Sequence, residues 1–157
     1  MATFVLKVNA HPAFTPFPNT PLEWENRQFF GPASRSVIGG PEQVPMPAVN
    51  DRVHVWINER GGGGGYTGYG KVVHYAGQTL GKIKRPTYEF RLAKIRILPA
   101  PLKGDCFWEY GGEAISSIRR YTLRQLLWIN TIQAREFEAA LREIVRRNFG
   151  EPFNDFV

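Results

Sequence analysis

The sequence predicts a mainly β (α+β) domain: a small β-barrel with peripheral helices and a C-terminal helix. Two patterns carry this. Short segments rich in β-branched and aromatic residues alternate apolar and polar side chains and are separated by turn residues. A helical period occurs clearly only near the end of the chain. Antiparallel hairpins with few helices favour a closed β architecture over a doubly wound parallel sheet. At 157 residues the chain has the length of a single domain (1–157).

The elements follow in chain order. Residues 3–8, Thr-Phe-Val-Leu-Lys-Val, read as a strand. Residues 11–50 hold eight of the twelve prolines and show little periodicity, which predicts a long irregular excursion with a helical turn near Pro21–Phe30. Asp51 to Asn58 alternates, placing Val53, Val55 and Ile57 on one face and His54 and Trp56 on the other. Five glycines, Gly61–Gly65, supply a mobile turn. Tyr66 to Ala76 then returns as the second strand of a hairpin. Pro86 to Leu98 alternates with a slip near Ala93, where a β-bulge is expected, and Pro99-Ala-Pro101 ends the strand. Residues 121–130 fit helix or strand equally. Over 131–149, Phe137, Leu141, Ile144 and Val145 mark one helix face, and Gly150 provides a stop. Glu136 and Glu138 early in this helix and Arg146 and Arg147 late in it suit the macrodipole.

Charge is concentrated. The net charge is +6, yet residues 1–70 are neutral and residues 104–157 carry −1. The +7 excess lies in residues 71–103, on Lys71, Lys82, Lys84, Arg85, Arg91, Lys94, Arg96 and Lys103 against Glu89 alone. Such a window attracts polyanions; lysines that merely guard strand edges are the plainer explanation. No apolar run reaches 18 residues and no secretory signal is evident, so no membrane partner is expected. The lone Cys106 excludes an intramolecular disulfide and a cysteine zinc cluster, which points to a reducing, cytoplasmic setting.

No cofactor, metal or catalytic set is expected. Gly65 to Lys71 matches G-x4-G-K, but Val72 stands where a P-loop needs Ser or Thr, and a strand rather than a helix follows. His11, His54 and His74 lack ligand spacing, although His54 and His74 could face each other across the hairpin. Cys106 and the pair Glu109 and Glu113 have no evident catalytic partners. The aromatics say more. Trp24 and Trp56 lie close to Asn26 and Asn58, and Tyr66 and Tyr69 flank the second hairpin strand. Aromatic faces stack on a base and amides read its edge. For any single ring, filling a small barrel is the plainer explanation.

Asn50-Asp-Arg-Val-His-Val-Trp-Ile-Asn58, followed by glycines and by Tyr66-Thr-Gly-Tyr-Gly-Lys-Val-Val73, resembles the PUA-like EVE domains. There a G-D-x-h-x-h-Y strand precedes a G-h-x-G-h-x-x-V strand. Asn50-Asp51 stands for the Gly-Asp and Trp56 for the aromatic. Tyr88 to Ile97 resembles the family's next strand, and Thr131 to Leu141 its closing T-x-x-E-F-x-x-h helix. Trp24-Glu-Asn26 matches the family's tryptophan–asparagine segment only loosely, and the glycine run and proline-rich loop depart from it.

The resemblance implies a PUA-like barrel that binds a modified base, with no catalysis of its own. It implies 5-methylcytosine or 5-hydroxymethylcytosine in DNA as ligand, with modified RNA as the variant, in a modification-dependent restriction system that has a fused or partner nuclease. Trp24, Asn26, Trp56, Asn58, Tyr66 and Tyr69 are then the expected base pocket. Lys71, Lys82, Lys84, Arg85, Arg91, Lys94 and Arg96 are the expected phosphate contacts. The alternatives are a protein-interaction module holding a peptide through exposed aromatics, and a small enzyme using Glu109 or Cys106.

Overall fold

The computed structural model describes residues 1–8, 24, 29–32, 35–36, 44–58, 64–80, 86–107, 109–110, 113–120 and 125–150. The strands are β1 (Thr3–Val8), β2 (Phe29–Pro32), β3 (Arg35–Ser36), β4 (Arg52–Ile57), β5 (Gly65–Leu80), β6 (Pro86–Leu102) and β7 (Gln125–Ile129). A 3₁₀ turn (Gly104–Phe107) and helix α1 (Glu113–Arg120) lie between β6 and β7, and helix α2 (Thr131–Phe149) follows β7. The predicted terminal helix is therefore present, and residues 125–129 are strand.

One mixed sheet joins the strands in the order β2-β6-β5-β4-β1-β7-β3. β1 is central, parallel to β4 and antiparallel to β7. β4, β5 and β6 form an antiparallel meander. Five strands are long; β2 and β3, which lie inside the expected irregular excursion, are four and two residues long. The closed barrel does not form. β2 pairs with β6 and β3 with β7, and among the described residues no ladder joins the two edges. Even so, only residues 33 and 34 separate β2 from β3, so their Cα atoms are at most about 11 Å apart. The sheet must curl until its edges approach, and β2 does come close to β7.

This curl explains why β1 and β4 are buried along their whole length. Alternation divides their side chains between two cores. Phe4, Leu6, Val8, Val53, Val55 and Ile57 pack inside the curl with Trp24, Val72, Phe90, Leu92 and Leu126. Val5 and Trp56 face outward and are covered by Phe137, Leu141, Ile144 and Val145 of α2, with Ile115 and Ile118 of α1. Lys7 also points outward: its Nζ donates to the Ile118 carbonyl (3.0 Å) and sits over the Trp56 ring (4.9 Å).

The β5–β6 register shifts opposite Ala93–Arg96, and Lys94 takes a left-handed backbone (φ 51°), so the expected bulge is present. β6 does not end at Pro99. It continues to Leu102 through an irregular stretch, since Gly68 pairs with Ile97 and Tyr66 with Leu102, and a bulge tolerates prolines that lack an N–H. Asn130 and Gln133 form a capping box at the start of α2, and Gly150 (φ 69°) closes it.

Candidate functional site

The site is set by what α2 must do with Glu138. Helical spacing puts Glu138 beside Ala134, Phe137 and Leu141 on the buried stripe. A carboxylate there needs partners. Strand β4 supplies them from its outward face. Arg52 Nη1 donates to Glu138 Oε1 (2.7 Å), and His54 Nε2 lies 3.0 Å from the same oxygen. His54 Nδ1 is 2.7 Å from the Tyr66 hydroxyl.

The protons follow from these contacts. A carboxylate only accepts, so Nε2 carries the hydrogen and donates to Glu138. Burial pushes the His54 pKa down, outweighing the hydrogen bond and charge of Glu138, and the ring is neutral. Nδ1 therefore accepts from the Tyr66 hydroxyl, whose own pKa burial raises well above the ordinary phenol value. Burial also pushes Glu138 up, but the hydrogen bonds and charges of His54 and Arg52 more than offset this, and the carboxyl stays below its usual range. The chain Tyr66–His54–Glu138–Arg52 pins the helix to the sheet. It has one opening. Glu138 lines a cavity of about 370 Å³ with Thr3, Pro45, Trp128, Ile129, Thr131, Ala134 and Arg135, and among the described residues its Oε2 accepts no hydrogen bond.

Beyond the cover of α2, β5 and β6 project as a ribbon. Arg52 pairs with Lys71, Lys71 with Ala93, and His74 with Arg91. Cross-strand partners share a face, so Lys71, His74 and Arg91 lie on the Arg52 side of the sheet. Arg96 pairs with Tyr69, itself the partner of His54, and belongs to the same side. Arg91, Lys94, Arg96 and Lys103 are exposed and Lys71 is half-buried. Lys82, Lys84 and Arg85 lie outside the described residues.

The expected base pocket is placed differently. Trp24 (0% exposed), Trp56 (1%), Tyr66 (0%) and Tyr69 (3%) are packed in the interior. Trp24 belongs to the core inside the curl and Trp56 to the core under α2, so the sheet separates them. The Trp56 ring lies against Phe107 at 5.0 Å. Tyr66 and Tyr69 do gather round His54, with ring centres 5.6 and 5.8 Å away, but as packing. Asn58 is buried, and its N–H donates to the Val8 carbonyl (2.8 Å). Asn26 lies outside the described residues.

His54 and His74 do not face each other, since His54 pairs with Tyr69. No cluster of metal-ligating side chains occurs among the described residues. Both nitrogens of His54 are engaged, so it cannot serve Cys106 as a base. Cys106 and Glu109 line a second cavity, of about 500 Å³, where Glu109 accepts from Arg147 (3.1 Å). Glu113 is the first residue of α1.

Reading of the sequence missed Glu138 as a site residue. The available signal was its place on the apolar stripe of α2, opposite a strand that offers Arg52 and His54 on one face.

Asn50 and Asp51 form the entry to β4. Asn50 is left-handed (φ 75°), a conformation asparagine tolerates. Asp51 accepts from the Ala2 and Ala48 N–H groups (both 2.8 Å), fixing the start of β1. Comparison with protein-family models, with curated proteins and with solved structures gave no match. No helix among the described residues is long and apolar enough to cross a membrane.

Proposed function

We propose that this chain is a nucleic-acid-binding reader of a modified base, with modified cytosine in DNA as the favoured ligand. The observation that carries the reading is the cationic face of Lys71, Arg91 and Arg96, joined through Arg52 to the buried carboxylate of Glu138, which lines a cavity. Glu138 belongs to both features: it lines the cavity, and it holds Arg52, whose strand neighbour is Lys71.

The phosphates bind along the ribbon and fix the register, and the cavity specifies the base. Its volume lies at the lower end of small-ligand pockets. Arg52 already neutralises Glu138, so the cavity favours a neutral donor over a cation. The exocyclic amine of cytosine is such a donor, and carboxylates accept from it. Pro45, Ile129, Ala134 and Trp128 offer apolar surface to a 5-substituent and a ring. Extruding a base costs a few kcal/mol, which stacking and this hydrogen bond offset together.

The curled sheet, the left-handed Asn50 and the closing helix support kinship with PUA-like EVE domains, with an open seam where the barrel would close. Cleavage of DNA would then belong to a fused or partner nuclease. The peptide-binding alternative finds no exposed aromatic anchor among the described residues. Among the described residues, the exposed large apolar side chains are Met1, Met46, Val49, Val73 and Ile132, none of them aromatic.

The test is fluorescence-polarisation binding to matched duplexes with cytosine, 5-methylcytosine or 5-hydroxymethylcytosine, and to modified single-stranded RNA, at two salt concentrations. Tighter binding to one modified duplex, lost on Trp128→Ala, is expected. Equal binding to every ligand contradicts the base reader and leaves a basic surface. Absence of binding at low salt contradicts the whole reading.

A further inference from the structure

We infer that helix α2 forms a second cationic wall facing the β5–β6 ribbon, and that the groove between them takes the backbone of duplex nucleic acid. This rests on the nucleic-acid reading above and adds residues outside the basic window of the sequence.

The geometry comes from one anchor. Glu138 is bonded to Arg52, the first residue of β4, so that flank of α2 looks toward the end of the sheet where β4 begins. Arg135 and Arg142 stand three residues before Glu138 and four after it, on the same flank, and both are exposed. Arg135 also lines the cavity. The two arginines are about 10 Å apart along the axis.

The sheet side of the groove begins at the same anchor. Lys71 is the cross-strand neighbour of Arg52; β5 and β6 project from that level carrying His74 and Arg91, and Arg96 stands on the same side one step back in the sheet, opposite Tyr69. A helix rail and a ribbon face therefore border one channel, with the Glu138 cavity at the β1–β7 end. Arg146, one turn beyond Arg142, continues the rail but is paired with Glu143 (2.7 Å). Of the three acidic side chains of α2, Glu138 is neutralised by Arg52 and Glu143 is held by Arg146 and Arg147, while Glu136 stands about 100° round the helix from Arg135.

The channel suits a duplex better than a single strand. Proteins that bind single strands combine a positive groove with aromatic platforms for the bases. Among the described residues, the exposed side chains of β5, β6 and α2 include no Phe, Tyr or Trp. Two cationic walls with no aromatic platform among the described residues fit backbone contacts.

The test measures affinity for a 20-base-pair duplex across a salt series. It compares the intact chain with Arg135→Gln/Arg142→Gln and with Arg91→Gln/Arg96→Gln. A thermal melt checks that each variant stays folded. Each lost phosphate contact should make the slope of log K against log salt shallower by about 0.9. Removing two therefore shrinks the affinity lost over a fourfold salt increase by about twelvefold. Both double variants should show this. A shallower slope for the β6 pair alone overturns the second wall and leaves the nucleic-acid reading standing. Equal or steeper dependence for a 20-nucleotide single strand overturns the duplex assignment. No binding to any nucleic acid, with binding to phosphatidylserine vesicles instead, overturns both readings.

Discussion

Replacing Glu138 by alanine tests the buried network that positions the site. Arg52 is 3% exposed and Glu138 7% exposed, so the substitution leaves a guanidinium in the interior without its counter-charge. Breaking such a pair from one side costs about 3–5 kcal/mol. A domain of this kind holds about 5–15 kcal/mol in total, so the loss is a large share. At about 2–4 °C per kcal/mol for this chain length, the midpoint should fall on the order of 10 °C. Urea unfolding at pH 7, followed by tryptophan fluorescence, measures the change. The double variant Arg52→Met/Glu138→Leu removes both charges and should recover most of the loss. A drop below about 1 kcal/mol for Glu138→Ala, or a double variant no better than the single, would refute the reasoning that a buried charge pair fastens α2.

Other outcomes follow from the same structure. The lowered His54 pKa means the unfolded chain binds the proton more readily, so stability is full above the ordinary histidine value near 6.5 and declines as pH falls below it. The depressed Glu138 carboxyl adds a second loss at lower pH, as it protonates below the usual range. Melting midpoints from pH 7.5 to 5 should show the first decline, and His54→Phe should flatten it. A Cβ at Gly68 would meet the Arg96 carbonyl oxygen across the β5–β6 ladder, so Gly68→Ala should destabilise by about 1–3 kcal/mol in the same urea assay. Asn130→Ala removes the side-chain oxygen that accepts from the Gln133 N–H (2.9 Å) and should cost about 1 kcal/mol. Circular dichroism would show the loss at the start of α2.

The parts of the fold legible in the sequence were those with a long local period. β1, β4 and α2 each repeat their apolar spacing over six or more residues. The slip at Ala93 marked a real bulge because alternation breaks locally. β2 and β3 left no trace, since a strand of two or four residues is defined by partners far along the chain, such as Phe90 for Phe29 and Leu127 for Arg35. α1 has eight residues, and among the described ones Ile115 and Ile118 mark its buried apolar face. β6 passes Pro99 because a bulge there frees it from the need for an N–H, which no local rule anticipates.

The site shows the same limit. The cationic window was readable as composition, and register places Lys71, Arg91 and Arg96 on one side. The choice of Trp24, Trp56, Tyr66 and Tyr69 followed residue type, yet large rings in a curled sheet are its best filling. Glu138 carried the opposite signal, a charge on an apolar stripe, and it is Glu138 that opens onto the cavity.

The most direct test is an amide NMR titration of the labelled chain with a duplex containing one 5-methylcytosine. The account predicts shifts at Thr3, Ile129, Arg135 and Glu138 around the cavity and at Lys71, Arg91 and Arg96 on the ribbon. The unmodified duplex should move the ribbon and the Arg135–Arg142 flank of α2 but leave Thr3, Ile129 and Glu138 in place. Shifts confined to the Cys106–Tyr110 end of α2, or identical shifts with both duplexes, would contradict it.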